Sequence, residues 1–122
     1  MSFELEFIQK PSYLHAIVTG TNTEENIFAY VEEITKECSK RKCTRLLVEE
    51  RLQGPQLTVF HVYRIIEKIS HDLSGLYNAV AYVDVFQEVN LMEFGETVAV
   101  NRGFPIKVFL TVQDAEKWLL EN

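Results

Sequence analysis

The sequence predicts an α/β fold, in which a mostly parallel five-stranded sheet carries an N-terminal antiparallel hairpin and four helices. Apolar and acidic residues alternate over 3–7, which predicts a strand with one face on a core. The short apolar runs 46–48 and 79–83 are typical of strands buried on both faces, as in sheets covered by helices. Apolar residues between such runs recur at three- and four-residue steps, which predicts core-facing helices. The predicted order is ββαβαβαβα within one domain, 1–122.

Composition excludes several classes of protein. The chain has 122 residues, 47% of them apolar and 25% charged, as in an ordinary globular domain. Its net charge of -6 argues against nucleic acid or an anionic membrane surface as partner. Cys38 and Cys43 form neither a zinc quartet nor a redox pair by spacing, and the start of the chain lacks a secretory leader pattern. We therefore expect a cytoplasmic protein without metal or cofactor.

The first half of the chain divides at clear turn and cap signals. Strands are predicted at 3–7 and 13–18, separated by the turn residues 10–12, so the first strand should lie at the edge of the sheet. A helix is predicted over 24–40. Its capping box should begin at Thr21 or Asn22.

The second half repeats the alternation of strand and helix. The second helix should begin after Thr58 and end near Ser74. The third contains Gly95, which we expect to allow close approach to the sheet, and a final helix after the strand 106–110 should place Trp118 on the core.

Several short phrases in this order resemble the STAS superfamily, and more closely its SpoIIAA-like branch of small stand-alone bacterial proteins. The phrases are Leu47-Val48-Glu49-Glu50 with Leu52-Gln53-Gly54-Pro55, Ala81-Tyr82-Val83-Asp84, Asn101-Arg102-Gly103, Val108-Phe109, and Ala115-Glu116-Lys117-Trp118-Leu119. The resemblance covers nearly the whole chain. Many members of the branch have no assigned biochemistry, so the resemblance implies a fold more than a function.

The better understood STAS regulators imply one specific hypothesis. They bind a partner kinase or anti-sigma factor and are switched by phosphorylation of a serine in an Asp-Ser-Ser-Gly motif that opens the second helix. In this chain the matching place is 57–60, where Thr58 is the one remaining hydroxyl. Thr58 is therefore a possible phosphosite, although an ordinary helix N-cap is the interpretation we favour.

The candidate binding site lies where parallel strands end, because ligands of open α/β sheets collect outside the carboxyl ends of the strands. Strand ends are predicted at 19–21, at 49–51 and at Asp84, close to the start of the second helix. The candidate residues for a ligand or partner are Glu49, Glu50, Arg51, Gln53, Gly54, Pro55, Thr58 and Asp84.

The three carboxylates of this set could serve acid–base chemistry or a hard cation. Ion pairing of such carboxylates with residues like Arg51 is the alternative that we favour. Adjacent strand residues point to opposite faces, so Glu49 and Glu50 share a site only if the strand has ended. No catalytic constellation is recognisable, and we expect no enzyme.

The leading hypothesis is a non-catalytic STAS-type regulatory or interaction module that binds a protein partner or small ligand on the loop 50–58 and the second helix. The alternative is a small-ligand binder or enzyme that uses the strand-end carboxylates. A deep pocket would favour the alternative, whereas a flat apolar patch would favour a protein partner.

Overall fold

A computed structural model describes residues 3–86 and 89–121. Strands and helices alternate in the predicted order after an initial strand pair. The elements are β1 (Phe3–Gln9), β2 (Leu14–Thr21), α1 (Glu24–Arg41), β3 (Arg45–Gln53), α2 (Val59–Asp72), β4 (Ala79–Asp84), α3 (Val89–Asn101), β5 (Ile106–Phe109) and α4 (Val112–Glu121).

The strands form one five-stranded sheet in the order β1-β2-β3-β4-β5. β1 pairs with β2 antiparallel, and all further pairs are parallel. β3 and β4 are neighbours in the interior of the sheet, and β1 lies at an edge. The predicted fold class, the edge position of the first strand and the adjacency of 46–48 and 79–83 are confirmed.

Helices cover the two faces of the sheet unequally. Leu46 and Val48 contribute to a core with buried residues of α1, α2 and α3, on what we call the first face. Leu47 packs with Ala115 and Leu119 of α4 on the opposite, second face. Strand residues alternate between faces, so the continuous apolar run of β3 supplies both cores. No helix within the described ranges is long and apolar enough to cross a membrane.

The start of α1 differs from the prediction. Thr23 is the N-cap, and its side chain accepts a hydrogen bond from the Asn26 amide at 3.0 Å. The predicted capping boxes at Thr21 and Asn22 are wrong because β2 continues to Thr21, which pairs with Gln53 of β3. Strand pairing therefore extends the sheet over residues that local cap signals assign to the helix.

Gly95 has a different neighbour from the one expected. A Cβ atom at this position would lie 3.2 Å from Cγ1 of Val62 and 3.7 Å from Cγ1 of Ile66. Both contacts belong to α2, so the glycine allows α3 to approach another helix rather than the sheet.

Candidate functional site

Two neighbouring glutamates of β3 point to opposite faces of the sheet. The sequence predicts that β3 ends at 49–51, but the strand continues to Gln53. Pairing with β2 and β4 on both sides holds this part of the chain extended: Val18 and Asp84 both align with Glu50. The expected common region for the three carboxylates is therefore wrong. Glu50 and Asp84 come together on the first face, and Glu49 lies on the second.

Glu49 is held by two basic side chains. His15 Nε2 lies 2.9 Å from Glu49 Oε1, and Arg51 Nε donates to Glu49 Oε2 at 2.5 Å. His15 and Glu49 are buried, whereas Arg51 is exposed. The favoured prediction of an ion pair with Arg51 is confirmed for Glu49. It is not met for Glu50 or Asp84, which form no ion pair within the described ranges.

Glu50 and Asp84, which we call the acid pair, are joined to each other by a side-chain hydrogen bond. The Tyr30 hydroxyl on α1 donates to Glu50 Oε2. The Tyr82 hydroxyl donates to Asp84 Oδ2 at 3.2 Å, and the Phe86 amide donates to Asp84 Oδ1 at 3.0 Å. Both carboxyl groups are thus anchored by donors from α1, β4 and the turn that follows β4.

Burial dominates the electrostatics of the acid pair. Glu50 is 2% exposed and Asp84 is 5% exposed. Burial, followed by the hydrogen bond and charge of Asp84, raises the pKa of the Glu50 carboxyl well above its ordinary value. Burial and the neighbouring acids also raise the pKa values of Tyr30 and Tyr82, which stay neutral donors. Within the described ranges, neither acid forms an ion pair with a basic side chain.

An apolar cavity of about 110 Å³ lies on the first face, among α1, α2, α3 and the sheet. Aliphatic and aromatic side chains form nearly all of its wall. The polar or ionisable residues that line it are Tyr30, Thr35, Glu50, Tyr77, Tyr82 and Glu96. Each of these makes a hydrogen bond; for example, Glu96 Oε1 accepts from the Val108 amide at 2.7 Å.

A second, polar cleft of about 260 Å³ lies near the carboxyl ends of β3 and β4. It is lined by Asn22, Leu52, Gln53, Gly54, Gln56, Asp84 and Phe86. Glu50 lines the apolar cavity and Asp84 lines this cleft, so the acid pair lies where the two spaces approach each other. Of the predicted site residues, Gln53, Gly54 and Asp84 line the cleft.

Asn22 fixes the loop beside this cleft. Its Nδ2 donates to the carbonyl of Pro55, another predicted site residue, at 3.0 Å. Its Oδ1 is buried and has no hydrogen-bond partner in the part of the chain that the structure describes. Gly54 adopts a φ of 126°, a left-handed conformation that favours glycine, so this loop shape depends on that residue.

Thr58 is the N-cap of α2. Its hydroxyl accepts a hydrogen bond from the His61 amide at 3.2 Å, and its own amide donates to His61 Nδ1 at 3.3 Å. The favoured N-cap interpretation is confirmed, while phosphorylation of this exposed threonine stays a prediction. The next two residues, Val59 and Phe60, are 55% and 65% exposed.

Sequence reasoning missed the contributions of Tyr30, Tyr82 and Asn22 to this site. Tyr30 lies on the apolar stripe of α1, where periodicity indicates a core position and not a hydrogen-bond donor. The period of two in β4 places Tyr82 and Asp84 on one face, and this signal was available in the sequence. Over residues 3–86 and 89–121, no group of three His, Cys, Asp or Glu side chains could hold a metal ion.

The hairpin-first parallel sheet and its helix arrangement define a SpoIIAA-like α/β domain. The chain is similar to an uncharacterized protein of the DUF3478 family, with a SpoIIAA-like fold, from Shewanella loihica PV-4. The TM-score is 0.60 at 14% identity, over 97% of this chain and 94% of that one. This likeness confirms the fold that the resemblance implies, and shows the fold alone. No model of a known protein family and no curated protein matches the chain.

Proposed function

We propose that this chain is a non-catalytic binding module that holds a small molecule in the apolar cavity between the first face and α1, α2 and α3. The observation that carries the proposal is the cavity itself, which Glu50 and three tyrosines line among mostly apolar side chains. Protein interiors are normally close-packed, and ligand sites are apolar spaces with a few oriented polar groups. An apolar pocket of this kind favours a small ligand, whereas a flat apolar patch would favour a protein partner.

The volume of the cavity limits the size of the ligand. An apolar cavity of roughly 150 Å³ holds benzene. A space of about 110 Å³ therefore suits a molecule of up to roughly six heavy atoms without movement of the helices. Slight outward movement of α1 or α3 would admit a longer one.

A cavity-filling substitution tests the proposal. Val31 lines the cavity from α1, so Val31→Phe should fill part of it. We expect benzene to shift the NMR signals of the Ile34 and Val48 methyl groups in the unmodified chain and to have little effect on Val31→Phe. The matched control is Val100→Phe, at an exposed position outside the cavity, which should bind as the unmodified chain does. Absence of any methyl shift at saturating benzene in the unmodified chain would overturn the proposal.

A protein partner at the start of α2 is the second candidate function. The exposed side chains of Val59 and Phe60 are close in sequence to the loop 54–58, and Phe86 on the cleft is 53% exposed. Clustered exposed apolar groups mark interaction sites. The STAS resemblance supports a protein partner at this place. The proposal includes a cytoplasmic location, which the free thiols of Cys38 and Cys43 support.

Capture from cytosol tests the second candidate. The double variant Val59→Ser, Phe60→Ser should lose a partner that the control Leu120→Ser retains, because Leu120 is 66% exposed on another helix. If Thr58 is a regulatory hydroxyl, Thr58→Glu should also weaken capture without lowering the melting temperature, since a helix N-terminus favours negative charge. If all variants capture the same proteins, the interaction surface lies elsewhere on the molecule.

A further inference from the structure

Acidic residues and no basic residue line the apolar cavity within the described part of the chain. Glu50 and Glu96 line it, and no Lys, Arg or His among residues 3–86 and 89–121 does. The Glu96 carboxylate accepts the Val108 amide, so its position is set by the backbone of β5. A cavity of this kind disfavours an anionic ligand, because the ligand charge would meet acids in an apolar surrounding.

The acid pair has no compensating cation. Glu50 and Asp84 are both more than nine-tenths buried, and their hydrogen-bond partners are two phenols, one amide and each other. Buried carboxylates are normally paired with a base or a metal ion, as Glu49 is with His15 and Arg51 on the second face. Among the described residues, the acid pair thus lacks the basic partner that Glu49 has.

A further acceptor without a partner lies on the cleft side of the acid pair. Asn22 is 9% exposed, and its Oδ1 has no hydrogen-bond partner within the described ranges. The orientation of the amide is determined, because its Nδ2 donates to the Pro55 carbonyl. The cleft that Asn22 and Asp84 line together therefore combines a carboxylate with an acceptor that a donor could satisfy.

We propose that the ligand of the cavity is a small primary amine, with its apolar body among α1, α2 and α3 and its ammonium group hydrogen-bonded to the acid pair. This inference rests on the proposed function and names the class of its ligand. An ammonium supplies three donors and a positive charge, which the acids and the phenol oxygens can take up. The chain's net charge of -6 also attracts cations from solution.

Isothermal titration of three five-carbon compounds tests the inference. n-Pentylamine and 1-pentanol share a pentyl body and differ in the charge of the head group, and pentanoate is the anionic probe of the same carbon number. At pH 7 we expect n-pentylamine to bind at least about tenfold more tightly than 1-pentanol, as a charge-assisted hydrogen bond requires, and pentanoate to bind more weakly than either.

Two variants locate the ammonium group. Glu50→Gln and Asp84→Asn should each reduce the preference for the amine while the alcohol still binds, because each removes one member of the acid pair. The matched control is Glu49→Gln, which changes the neighbouring carboxyl on the opposite face and should keep the preference. Melting curves show whether each variant is folded. Should Glu50→Gln fail to fold, Asp84→Asn provides the same comparison.

The outcomes separate this inference from the proposed function. Equal binding of amine and alcohol overturns the inference and leaves the cavity as a site for neutral molecules. An amine preference that survives in both acid-pair variants also overturns it, because the ammonium would then lie elsewhere. If none of the three compounds binds, the proposed function and the inference both fail.

Discussion

Glu50 couples the folding of the chain to pH. Burial and Asp84 raise the pKa of this carboxyl well above its ordinary value of 4.5, so the folded chain holds a proton that the unfolded chain releases. The stability contributed by this proton is fully present below about pH 4.5 and is lost as the pH rises toward the folded pKa.

Glu50→Gln should therefore change the pH dependence of stability. Glutamine has a similar shape and does not ionise, so we expect the variant to gain stability relative to the unmodified chain as the pH is raised from 4.5 to 8. Urea unfolding at several pH values measures the free energy of unfolding of both. A difference that stays constant over this range would show that Glu50 does not hold its proton in the folded chain.

Trp118 and Leu119 allow a comparison of burial on one helix. Leu119 is fully buried, whereas Trp118 is half-buried and packs with its ring centroid 5.6 Å from that of Phe109. The sequence alone predicts a loss of about 3 to 5 kcal/mol for Trp118→Ala with a fully packed indole. The structure lowers this expectation to about 2 kcal/mol, below a loss of about 3 kcal/mol for Leu119→Ala. Denaturant unfolding decides the order, and a larger loss for Trp118→Ala would contradict it.

Local sequence patterns predict some residue contacts and not others. The Glu49–Arg51 pair lies within one strand, two residues apart, so alternation alone brings it together. The acid pair depends on the register between β3 and β4 and on a tyrosine from α1. Such contacts join positions far apart in sequence, so the periodicity within a single element does not predict them.

At the scale of the elements, Gly95 sets the distance between α2 and α3. Alanine is favoured over glycine within a helix by about 1 kcal/mol, but its Cβ would lie 3.2 Å from Val62 Cγ1. Val62 lines the cavity and has space to move by a few tenths of an ångström. We therefore expect Gly95→Ala to change the free energy of unfolding by less than about 1 kcal/mol.

Gly95→Leu provides the contrast to that substitution. A leucine is too large for the space between the two helices, and overpacking should lower stability by about 1 to 3 kcal/mol. Thermal or urea unfolding measures both variants. A large loss already in Gly95→Ala would show that Val62 is fixed in place.

Helix starts match the sequence prediction where the cap is a local hydrogen bond. Strand ends differ from the prediction where pairing with a neighbouring strand sets them. Thr58 caps its helix as predicted, and its hydroxyl accepts the amide three residues later. Thr111 makes the same bond at the start of α4. β2 and β3 extend beyond their apolar runs, because each strand finds backbone partners along its neighbour as far as Thr21 and Gln53. Pairing partners, rather than hydrophobicity, set those ends.

At the scale of the whole molecule, the cavity should make the chain sensitive to pressure. Unfolding eliminates internal void volume, so a chain with a cavity of about 110 Å³ should lose volume when it unfolds. Val31→Phe should raise the midpoint of pressure unfolding by filling that space, and Val100→Phe should not. High-pressure fluorescence or NMR measures the midpoints. Equal midpoints in both variants would indicate that water already occupies the cavity.

The strand order of the whole sheet was predictable, whereas the cavity was not. Alternating strands and helices leave few topologies for a chain of this length, and one buried run after another identified the interior strands. The cavity volume depends on how the side chains of three helices pack against the first face of the sheet. The pattern of apolar residues is the same for a filled core and for one with space in it.

The bond between Glu96 and the Val108 amide also bears on self-association. β5 is a four-residue strand at one margin of the sheet, and this carboxylate occupies a backbone donor that an incoming strand would need. At the other margin, β1 carries the exposed acids Glu4 and Glu6. Short strands and charged side chains at sheet margins discourage copies of a protein from joining into a continuous sheet. Removing this acceptor, as in Glu96→Ala, should therefore free the Val108 amide and make pairing between the β5 edges of two copies easier.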